Sequence, residues 1–377
     1  MSRAPPLTRY LVTETEIFRD APLVIVDLGS RGGFNAEWQA FGDRVRIYGF
    51  EADEAECARL NAAAAPSVTY LPWAIGGYTG RATLYEAKLS YSTGLYRTNM
   101  DYLGRFLNRD NGIVVAERQV SLHTLQEVMA ELGVVTIDFI KLDVEGAELD
   151  ILRGSEAYLR SAMPLGLLSE VRFHPEINNS PTFSALDTFL QSFGFRLYDL
   201  DFSHQSRAAL PYPGLADYRL PSGGRFFAYT THGQIQDGNA LYFRDLLLPV
   251  NADALSRMTV VRLLKLAALF ELYCLSDCAA ELILATRHRL APVVDCDRLL
   301  DLLASGISGR TISYWDYITA YFAPTVEKKS PSLSIAPPTP TIAELQQALA
   351  KVHDSTSWRI TKPLRYLKRL ISGRHDA

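Results

Sequence analysis

The chain has little cysteine, and no C-x-x-C pair exists to suggest a zinc site. Its four cysteines stand at positions 57, 274, 278 and 296, and this irregular spacing excludes a disulfide framework. We expect reduced, mostly buried thiols. A surplus of charge of one sign is also missing, because 38 Lys and Arg residues face 42 Asp and Glu residues. The balance excludes a polycation that binds nucleic acid, so nucleic acid is not an expected partner.

Long hydrophobic runs are absent as well. The longest apolar stretches, such as Leu266–Phe270, are interrupted by charged residues and fall far short of the roughly 20 residues that span a membrane. The N-terminus lacks the apolar core of a signal peptide, so we expect a soluble, cytoplasmic protein. The chain is nevertheless 48% hydrophobic and only 21% charged. That composition is enough for a large core and excludes a disordered polymer.

Up to about residue 240, apolar runs of strand character alternate with helical stretches. The predicted strands are 23–29, 45–51, 68–71, 137–143, 165–170, 195–198 and 225–229. The predicted helices are 53–64, 121–132, 145–160 and 181–193. Near-continuous apolar strands that alternate with helices are typical of a mostly parallel sheet with helices on both faces. We therefore predict an α/β domain over residues 1–240.

The pattern changes downstream of this domain. Residues 241–322 are predicted to form a small helical accessory domain, because leucine and alanine recur there at helical spacing. Residues 323–340 contain five prolines and several serines, which indicates a linker. Residues 341–377 are predicted to be a basic helical tail.

The tail has the pattern of a short amphipathic helix. From residue 355 onward it holds six basic residues and one acid, and a helical wheel puts Lys362 and Arg365 opposite Leu364 and Leu367. Such a helix can lie on an anionic membrane surface or dock a partner protein, and the alternative is a solvated helix that packs on its own domain. Residues 355–365 also resemble a segment of bacterial enzymes of surface-polysaccharide assembly.

The first predicted strand carries a buried acid and ends in a glycine-rich turn. Asp27 precedes glycines at 29, 32 and 33, and Arg31 stands where a dinucleotide-binding fingerprint needs its second glycine. A carboxylate at this place repels a pyrophosphate but suits an ammonium or sulfonium group. The glycines let such a ligand approach the backbone closely. A tight turn that binds nothing is the alternative.

The second predicted strand ends in Glu51, whose carboxylate can accept hydrogen bonds from both hydroxyls of a ribose. Together with Asp27 it favours a nucleoside with a cationic amino-acid tail, and S-adenosylmethionine fits better than NAD. Trp73 follows the third strand and is either a flat surface for adenine or an ordinary core residue. The predicted cofactor-binding residues are Asp27, Gly29, Ser30, Gly32, Glu51, Ala52, Trp73, Ala74 and Asp143.

Acids end four of the predicted strands. These acids are Asp27, Glu51, Asp143 and Glu170. Because ligands bind beyond the carboxyl ends of the strands in open α/β sheets, all four should line one crevice. Residues 145–148 (Glu-Gly-Ala-Glu) are expected to open the helix that follows Asp143, where the helix dipole favours acids. The alternative for Asp143 and Glu145 is a helix cap with a Lys141 ion pair.

Five segments carry a more specific signal: 26–32 (VDLGSRG), 49–52 (GFEA), 121–125 (SLHTL), 139–149 (FIKLDVEGAEL) and 152–154 (LRG). Together they resemble the FkbM-type family of S-adenosylmethionine-dependent methyltransferases over about residues 20–230. The resemblance implies a class I methyltransferase sheet with a final antiparallel strand pair, and usually O-methylation of sugars or polyketide-like hydroxyls. It also implies cofactor positions at Asp27, Gly29 and Glu51 and an active-site box at Asp143 and Glu145. Many relatives have a polar or acidic residue where 75–77 are Ile-Gly-Gly, which leaves the adenine contact open.

Methyl transfer to a hydroxyl requires removal of its proton, and two routes are open. His174 is the candidate base, because imidazole titrates near neutral pH, although a lone histidine is often only a structural hydrogen bonder. The other route is Mg²⁺ or Mn²⁺ held by Asp143 and Glu170, with Glu145 or water as third ligand. The predicted catalytic residues are His174, Asp143 and Glu145. Residues 91–97 are expected to lie on a long loop that closes over the substrate.

The sequence thus predicts a methyltransferase that transfers a methyl group from S-adenosylmethionine to a hydroxyl of a glycan or glycan precursor, in surface-polysaccharide biosynthesis. Expected partners are this acceptor and, through the tail, an anionic membrane face or glycan-assembly proteins. Two alternatives are an NAD-dependent sugar-nucleotide enzyme and a methyltransferase-like scaffold without catalysis. Arg31 and Asp27 argue against the first, and the four acids argue against the second.

Overall fold

A computed structural model of the chain describes residues 5–215, 217–219, 225–227 and 229–323. The predicted tail at 341–377, and the predicted linker beyond residue 323, lie outside the described residues. Among the described residues, no helix is both long and apolar enough to cross a membrane. The four cysteines are free thiols, and those at 57 and 296 are buried.

The strands are β1 Leu23–Leu28, β2 Val45–Phe50, β3 Val68–Leu71, β4 Ala74–Ile75, β5 Gly80–Ala87, β6 Val114–His123, β7 Phe139–Leu142, β8 Gly166–Arg172, β9 Phe195–Gln205, β10 Asp217–Arg219, β11 Arg225–Phe227 and β12 Gln234–Arg244. The helices are α1 Pro6–Thr13, α2 Glu54–Ala62, α3 Met100–Leu103, α4 Leu125–Glu131, α5 Glu148–Gly154, α6 Glu156–Ala162, α7 Phe183–Ser192, α8 Ala252–Arg257, α9 Val260–Leu272, α10 Ser276–Ala285, α11 Arg287–Leu290, α12 Cys296–Ser308 and α13 Tyr314–Phe322. Short 3₁₀ helices lie at Ala36–Phe41, Ser90–Ser92, Arg109–Gly112 and Pro249–Asn251.

The main sheet has seven strands in the order β3-β2-β1-β7-β8-β12-β9. The first five strands in this order are parallel to one another. The sixth, β12, is antiparallel to both of its neighbours. Helices α4 to α7 pack on β1, β7, β8 and β12 around a core of aliphatic side chains. The predicted α/β class with a mostly parallel sheet is confirmed, and so is the final antiparallel strand pair, which β9 and β12 form.

A second sheet of three strands, in the order β4-β6-β5, was not predicted. Five consecutive residues of β6, 115–119, are exposed, so this strand has no apolar run that a sequence pattern could detect. The predicted strand at 225–229 also differs, because β11 pairs with β10 outside the main sheet. The place expected for it in the main sheet is taken by β12.

By its contacts the chain divides into two compact units. One consists of described residues 21–38 and 43–258, and the other of 5–20, 39–42 and 259–323. The expected boundary at residue 240 falls inside β12, whose last residues still pair with β8 and β9. The N-terminal helix α1, expected in the sheet domain, belongs instead to the helical unit. There the buried Glu271 accepts hydrogen bonds from the backbone amides of Leu7 and Thr8.

Candidate functional site

The turn after β1 is held tightly between the neighbouring strands. Asp27 is fully buried, and Gly29 has a left-handed backbone with φ of 82°. A Cβ atom on Gly29 would lie 1.8 Å from the carbonyl oxygen of Asp143, so only glycine fits this position. The amides of Gly29 and Ser30 donate to the carbonyl of Phe50 at 3.1 and 2.9 Å. The turn is therefore fixed to the ends of both β2 and β7.

Lys141 joins the first and third of the predicted strand-end acids. Its Nζ lies 3.2 Å from Asp27 Oδ1 and 3.2 Å from Asp143 Oδ2. Burial alone would lower the pKa of Lys141, but the two carboxylates outweigh it and raise that pKa. Two carboxylates around one ammonium leave the trio with one net negative charge.

Glu51 lies directly after β2 and is almost fully buried. Its Oε1 accepts hydrogen bonds from the Asp53 amide at 2.8 Å and from Arg31 Nη2 at 3.3 Å. Arg31 also binds Asp53 Oδ2 at 3.0 Å. Burial raises the pKa of Glu51, and the guanidinium of Arg31 opposes that rise. Arg31, which the sequence presented only as a missing glycine, is thus the partner of the predicted ribose-binding acid.

Gly32, another predicted cofactor contact, lies in the turn after β1 and donates its amide to Glu56 Oε1 at 3.0 Å, and three further predicted contacts lie beside the end of β3. Trp73 packs against Phe50 and His123, with ring centroids 6.4 and 5.6 Å away. Ala74 is buried on β4, and Ala52 packs against the core of the three-stranded sheet. Trp73 is partly buried at the edge of the main core, an environment that fits both an adenine contact and a core residue.

The segment after β7 is a strained turn and not the start of a helix. Glu145 and Gly146 both have a left-handed backbone, with φ of 60° and 109°, and α5 begins only at Glu148. The prediction that residues 145–148 open the helix is therefore wrong for Glu145 and correct for Glu148, which lies in the first turn of α5. Glu148 Oε1 accepts hydrogen bonds from the amides of Val144 and Gly146, both at 3.1 Å. Its carboxylate satisfies amides that the turn would otherwise leave buried without partners.

Three of the predicted acids, Asp143, Glu145 and Glu170, meet at the ends of β7 and β8, and we call these three side chains together the carboxylate group. Carboxylate oxygens of Asp143, Glu145 and Glu170 all lie within 4.8 Å of one another. Arg172, which is 6% exposed, places its Nη2 2.6 Å from Glu145 Oε2 and 2.9 Å from Glu170 Oε2. Sequence analysis missed Arg172. The signal for it was its alternation with Glu170 on one strand, which puts both side chains on the same face.

Burial dominates the protonation of this carboxylate group. It raises the pKa of Glu145 to about 8, against the opposing charge of Arg172, and it raises the pKa of Glu170 well above its ordinary value. Three hard oxygen donors so close together are a suitable ligand set for Mg²⁺ or Mn²⁺. Arg172 already neutralises two of the three, so a divalent cation would have to compete with it.

His174 lies two residues past β8 and belongs to a different set of contacts. Its Nε2 is 2.9 Å from the side-chain nitrogen of Gln234, and its ring stacks on Tyr102 with centroids 5.6 Å apart. Gln234 uses its carbonyl oxygen to accept from Arg207, so its amide nitrogen donates to His174. The Nε2 lone pair of His174 is therefore engaged, and the ring could act as a base there only after this hydrogen bond breaks.

The loop at residues 91–97 lies against the turn that carries Glu145. A Cβ atom on Gly94 would come within 2.9 Å of both the Cβ and the carbonyl oxygen of Glu145. Tyr96 donates a hydrogen bond from its hydroxyl to Asp150 of α5. The loop is thus a fixed wall of the carboxylate group, and its closure over a substrate stays a prediction.

Solved structures show only weak similarity. One is 1,6-didemethyltoxoflavin-N1-methyltransferase from Burkholderia thailandensis with S-adenosylhomocysteine, at 10% identity over 64% of this chain and 79% of that one, TM-score 0.26. Another is the N-terminal domain of EvdMO1 in the presence of S-adenosylhomocysteine and D-fucose, at 11% identity over 65% of this chain and 84% of that one, with a TM-score of 0.27. A third is a mutant of the 16S rRNA (adenine(1408)-N(1))-methyltransferase from Catenulisporales acidiphilia, at 15% identity over 61% of this chain and 90% of that one, with a TM-score of 0.25. Similarity this low carries no argument about the chain, and no curated protein matches it.

A protein family does match part of the chain. The model of the methyltransferase FkbM domain matches residues 33–197. The matched range includes Glu51 and the whole carboxylate group of Asp143, Glu145 and Glu170. The predicted resemblance to the FkbM-type S-adenosylmethionine-dependent methyltransferases is confirmed. The chain is a methyltransferase that is similar to the FkbM domain over residues 33–197.

Proposed function

We propose that this methyltransferase transfers the methyl group of S-adenosylmethionine to a hydroxyl of a glycan or glycan precursor, in surface-polysaccharide biosynthesis. The observation that carries the proposal is the arrangement of two buried acids around one glycine turn. Asp27 and Glu51 lie at the ends of neighbouring parallel strands, and Gly29 lets the turn beside them pack directly against the backbone of Asp143. Ligands of open α/β sheets bind at this edge.

Charge supports S-adenosylmethionine over a dinucleotide. Asp27, Lys141 and Asp143 together carry one net negative charge close to the turn, which favours a cationic sulfonium and opposes a pyrophosphate. Glu51, kept in place by Arg31 and the Asp53 amide, is the group that we propose to bind the ribose hydroxyls.

On the acceptor side, we propose that Glu145 takes the proton from the attacking hydroxyl. The new oxygen–methyl bond forms as the sulfur–methyl bond breaks, so the sulfonium becomes a neutral thioether and the hydroxyl proton passes to a carboxylate. Asp143 and Glu170 would hold Mg²⁺ or Mn²⁺, which would supply a lower pKa for the acceptor hydroxyl. Arg172 keeps Glu145 and Glu170 together.

We also propose that the reaction takes place at the cytoplasmic face of a membrane. The basic residues of 341–377 and the resemblance of 355–365 to surface-polysaccharide enzymes support contact with an anionic cytoplasmic membrane face. Vesicles with and without anionic lipid, compared in a sedimentation assay, test this contact.

The first experiment is a calorimetric titration of the full chain with S-adenosylmethionine, with and without Mg²⁺. We expect micromolar binding and at least a tenfold loss of affinity in Glu51→Ala. Glu54→Ala is the matched control, because Glu54 is exposed three residues away, and it should bind like the wild type. Equal affinity of Glu51→Ala and wild type would refute the assignment of the ribose site, and absence of binding would favour the scaffold interpretation.

The glycan acceptor needs its own test. Radiolabelled methyl transfer from S-adenosylmethionine should be measured with a panel of polysaccharide precursors and, as a control, with polyphenol hydroxyls. Transfer confined to the sugars supports the proposal, whereas transfer to the phenols alone would contradict it.

A further inference from the structure

Next to the carboxylate group lies a set of polar side chains that we call the amide cluster: Asn108, Gln205, Gln234 and Gln236, with Glu176 and His174. Its members come from separate parts of the chain. Asn108 Nδ2 donates to Gln236 Oε1 at 2.8 Å, Gln234 is the register partner of Gln205, and the side chain of Gln234 contacts His174. Gln234 and Gln236 alternate along β12, and the backbone amide of Glu176 donates to the carbonyl of His174, so these contacts gather at the start of β12.

The amide cluster holds more buried hydrogen-bonding atoms than it can pair internally. Among the residues that the structure describes, no hydrogen-bond partner exists for Asn108 Oδ1, Glu176 Oε1, Gln205 Oε1 and Gln236 Nε2. Gln236 is 1% exposed, Gln205 2% and Glu176 6%. Buried polar atoms in folded proteins nearly always have a partner. Four in one cluster, both donors and acceptors, point to a ligand with hydroxyl groups.

The position of the amide cluster ties it to the proposed reaction. His174 and Glu176 follow Arg172 directly after β8, and Arg172 contacts Glu145 and Glu170. The carboxyl of Glu176 interacts electrostatically with Arg172 and Glu145. A ligand in the amide cluster would therefore lie beside the carboxylate group.

One side of the amide cluster is built from flat side chains. Tyr102 stacks on His174 and packs against Phe106, with centroids 5.6 and 5.4 Å apart. The guanidinium of Arg207 lies 3.8 Å from the centre of the Phe106 ring. Flat apolar surfaces beside a few placed polar groups are usual in pockets for small ligands, and a sugar ring has both a carbon–hydrogen face and a rim of hydroxyls.

We propose that the amide cluster is the acceptor subsite and that it binds a single sugar ring. The hydroxyls of the ring would pair with the unpartnered atoms of Asn108, Glu176, Gln205 and Gln236. The inference deepens the proposed function and rests on it, because it assigns the acceptor side of the same site. Buried water that satisfies the same four atoms is the competing account.

The test uses the full chain without S-adenosylmethionine and saturation-transfer difference NMR. The probes are methyl glycosides of glucose, galactose, mannose, fucose, rhamnose and N-acetylglucosamine at millimolar concentration. We expect saturation transfer to at least one of them. Gln236→Met, which keeps the length of the side chain and removes the amide, should weaken that sugar at least tenfold. Gln126→Met, on an exposed position of α4, should change nothing.

Gln236→Met removes the unpartnered nitrogen of Gln236 and also the oxygen that accepts from Asn108 Nδ2. Its melting temperature is therefore expected to fall for a ligand site and for a water site alike, and sugar binding by the folded variant separates the two. Should Gln236→Met fold poorly, Glu176→Gln provides the same test with almost no change of shape, and it should weaken the sugar at least fivefold. Unchanged sugar binding in the folded variant, or no saturation transfer to any probe, overturns the proposal in favour of water.

The two proposals fail separately. Gln236→Met should bind S-adenosylmethionine in the calorimeter as the wild type does. A chain that binds S-adenosylmethionine but no sugar would refute only the acceptor subsite. A chain that binds a sugar through the amide cluster but no S-adenosylmethionine would refute the proposed reaction.

Discussion

Gly29 is the residue at which the cofactor turn and the carboxylate group meet. Because a Cβ there would collide with the carbonyl of Asp143 at 1.8 Å, we expect Gly29→Ala to displace the turn and lose at least tenfold in S-adenosylmethionine affinity, measured by calorimetry. Gly133→Ala is the matched control, since Gly133 also has a positive φ but nothing within 4 Å of its Cβ position. That control should cost only about 1–2 kcal/mol of stability. Equal affinities in the two variants would contradict the close approach.

Arg172 neutralises the buried acids at the end of β8, so its loss is expected to be costly. Arg172→Met should lower the free energy of urea unfolding by about 3–5 kcal/mol at pH 8, because it leaves buried carboxylates uncompensated. The loss should shrink at pH 5.5, where Glu145 and Glu170, whose pKa values are raised by burial, bind protons in place of the guanidinium. Arg118→Met, in an exposed ion pair with Glu86, should cost less than about 1 kcal/mol at either pH. A pH-independent loss would argue against the pairing.

At the scale of elements, α1 depends on a carboxylate from α9. Glu271 is 5% exposed and accepts from the amides of Leu7 and Thr8 and from Thr8 Oγ1, at 2.7 to 2.9 Å. We expect Glu271→Ala to lower the unfolding free energy by about 1.5–3 kcal/mol and to speed hydrogen exchange in α1. Glu281→Ala, on an exposed position of α10, should alter neither. Unchanged exchange at Leu7 and Thr8 would show that the carboxylate does not hold the helix.

Local sequence patterns reveal some of the strands and miss others. The strands β1, β2, β3 and β7 have the apolar runs of a doubly covered sheet, and the sequence predicted them within two residues at either end. β6 and β12 escaped prediction for different reasons. The exposed residues of β6 show no apolar run, and β12 begins with polar residues of the amide cluster and ends in an apolar run that was assigned to the helical domain.

For the whole molecule, stability should fall as pH rises through the neutral range. Burial raises the pKa of Glu176 from an ordinary 4.5 to about 9, with Asp237 and Glu145 acting in the same direction, Arg172 opposing them, and Tyr102 also nearby. The folded chain therefore binds this proton more tightly than the unfolded chain, so the stabilisation is complete below about pH 4.5 and is lost as pH approaches 9.

Urea unfolding at pH 6, 7.5 and 9 tests this linkage. Glu176→Gln cannot titrate, so its unfolding free energy should decline less steeply with pH than that of the wild type. Glu281→Gln, at an exposed position, should follow the wild type. Parallel profiles for Glu176→Gln and wild type would show that Glu176 does not hold the proton.

The sequence alone determined strands β1, β2, β7 and β8 and the acids at their ends, because a strand and the acid that closes it are neighbours in the chain. It could identify Asp27, Glu51, Asp143 and Glu170 as one set, since parallel strands bring their carboxyl ends to one edge. The partners of these acids and their protonation depend on the tertiary structure. The Lys141–Asp27 contact joins residues 114 apart, and Asn108 and Gln236 are 128 apart. Burial and charge at such contacts depend on the folded surroundings, which no local pattern encodes.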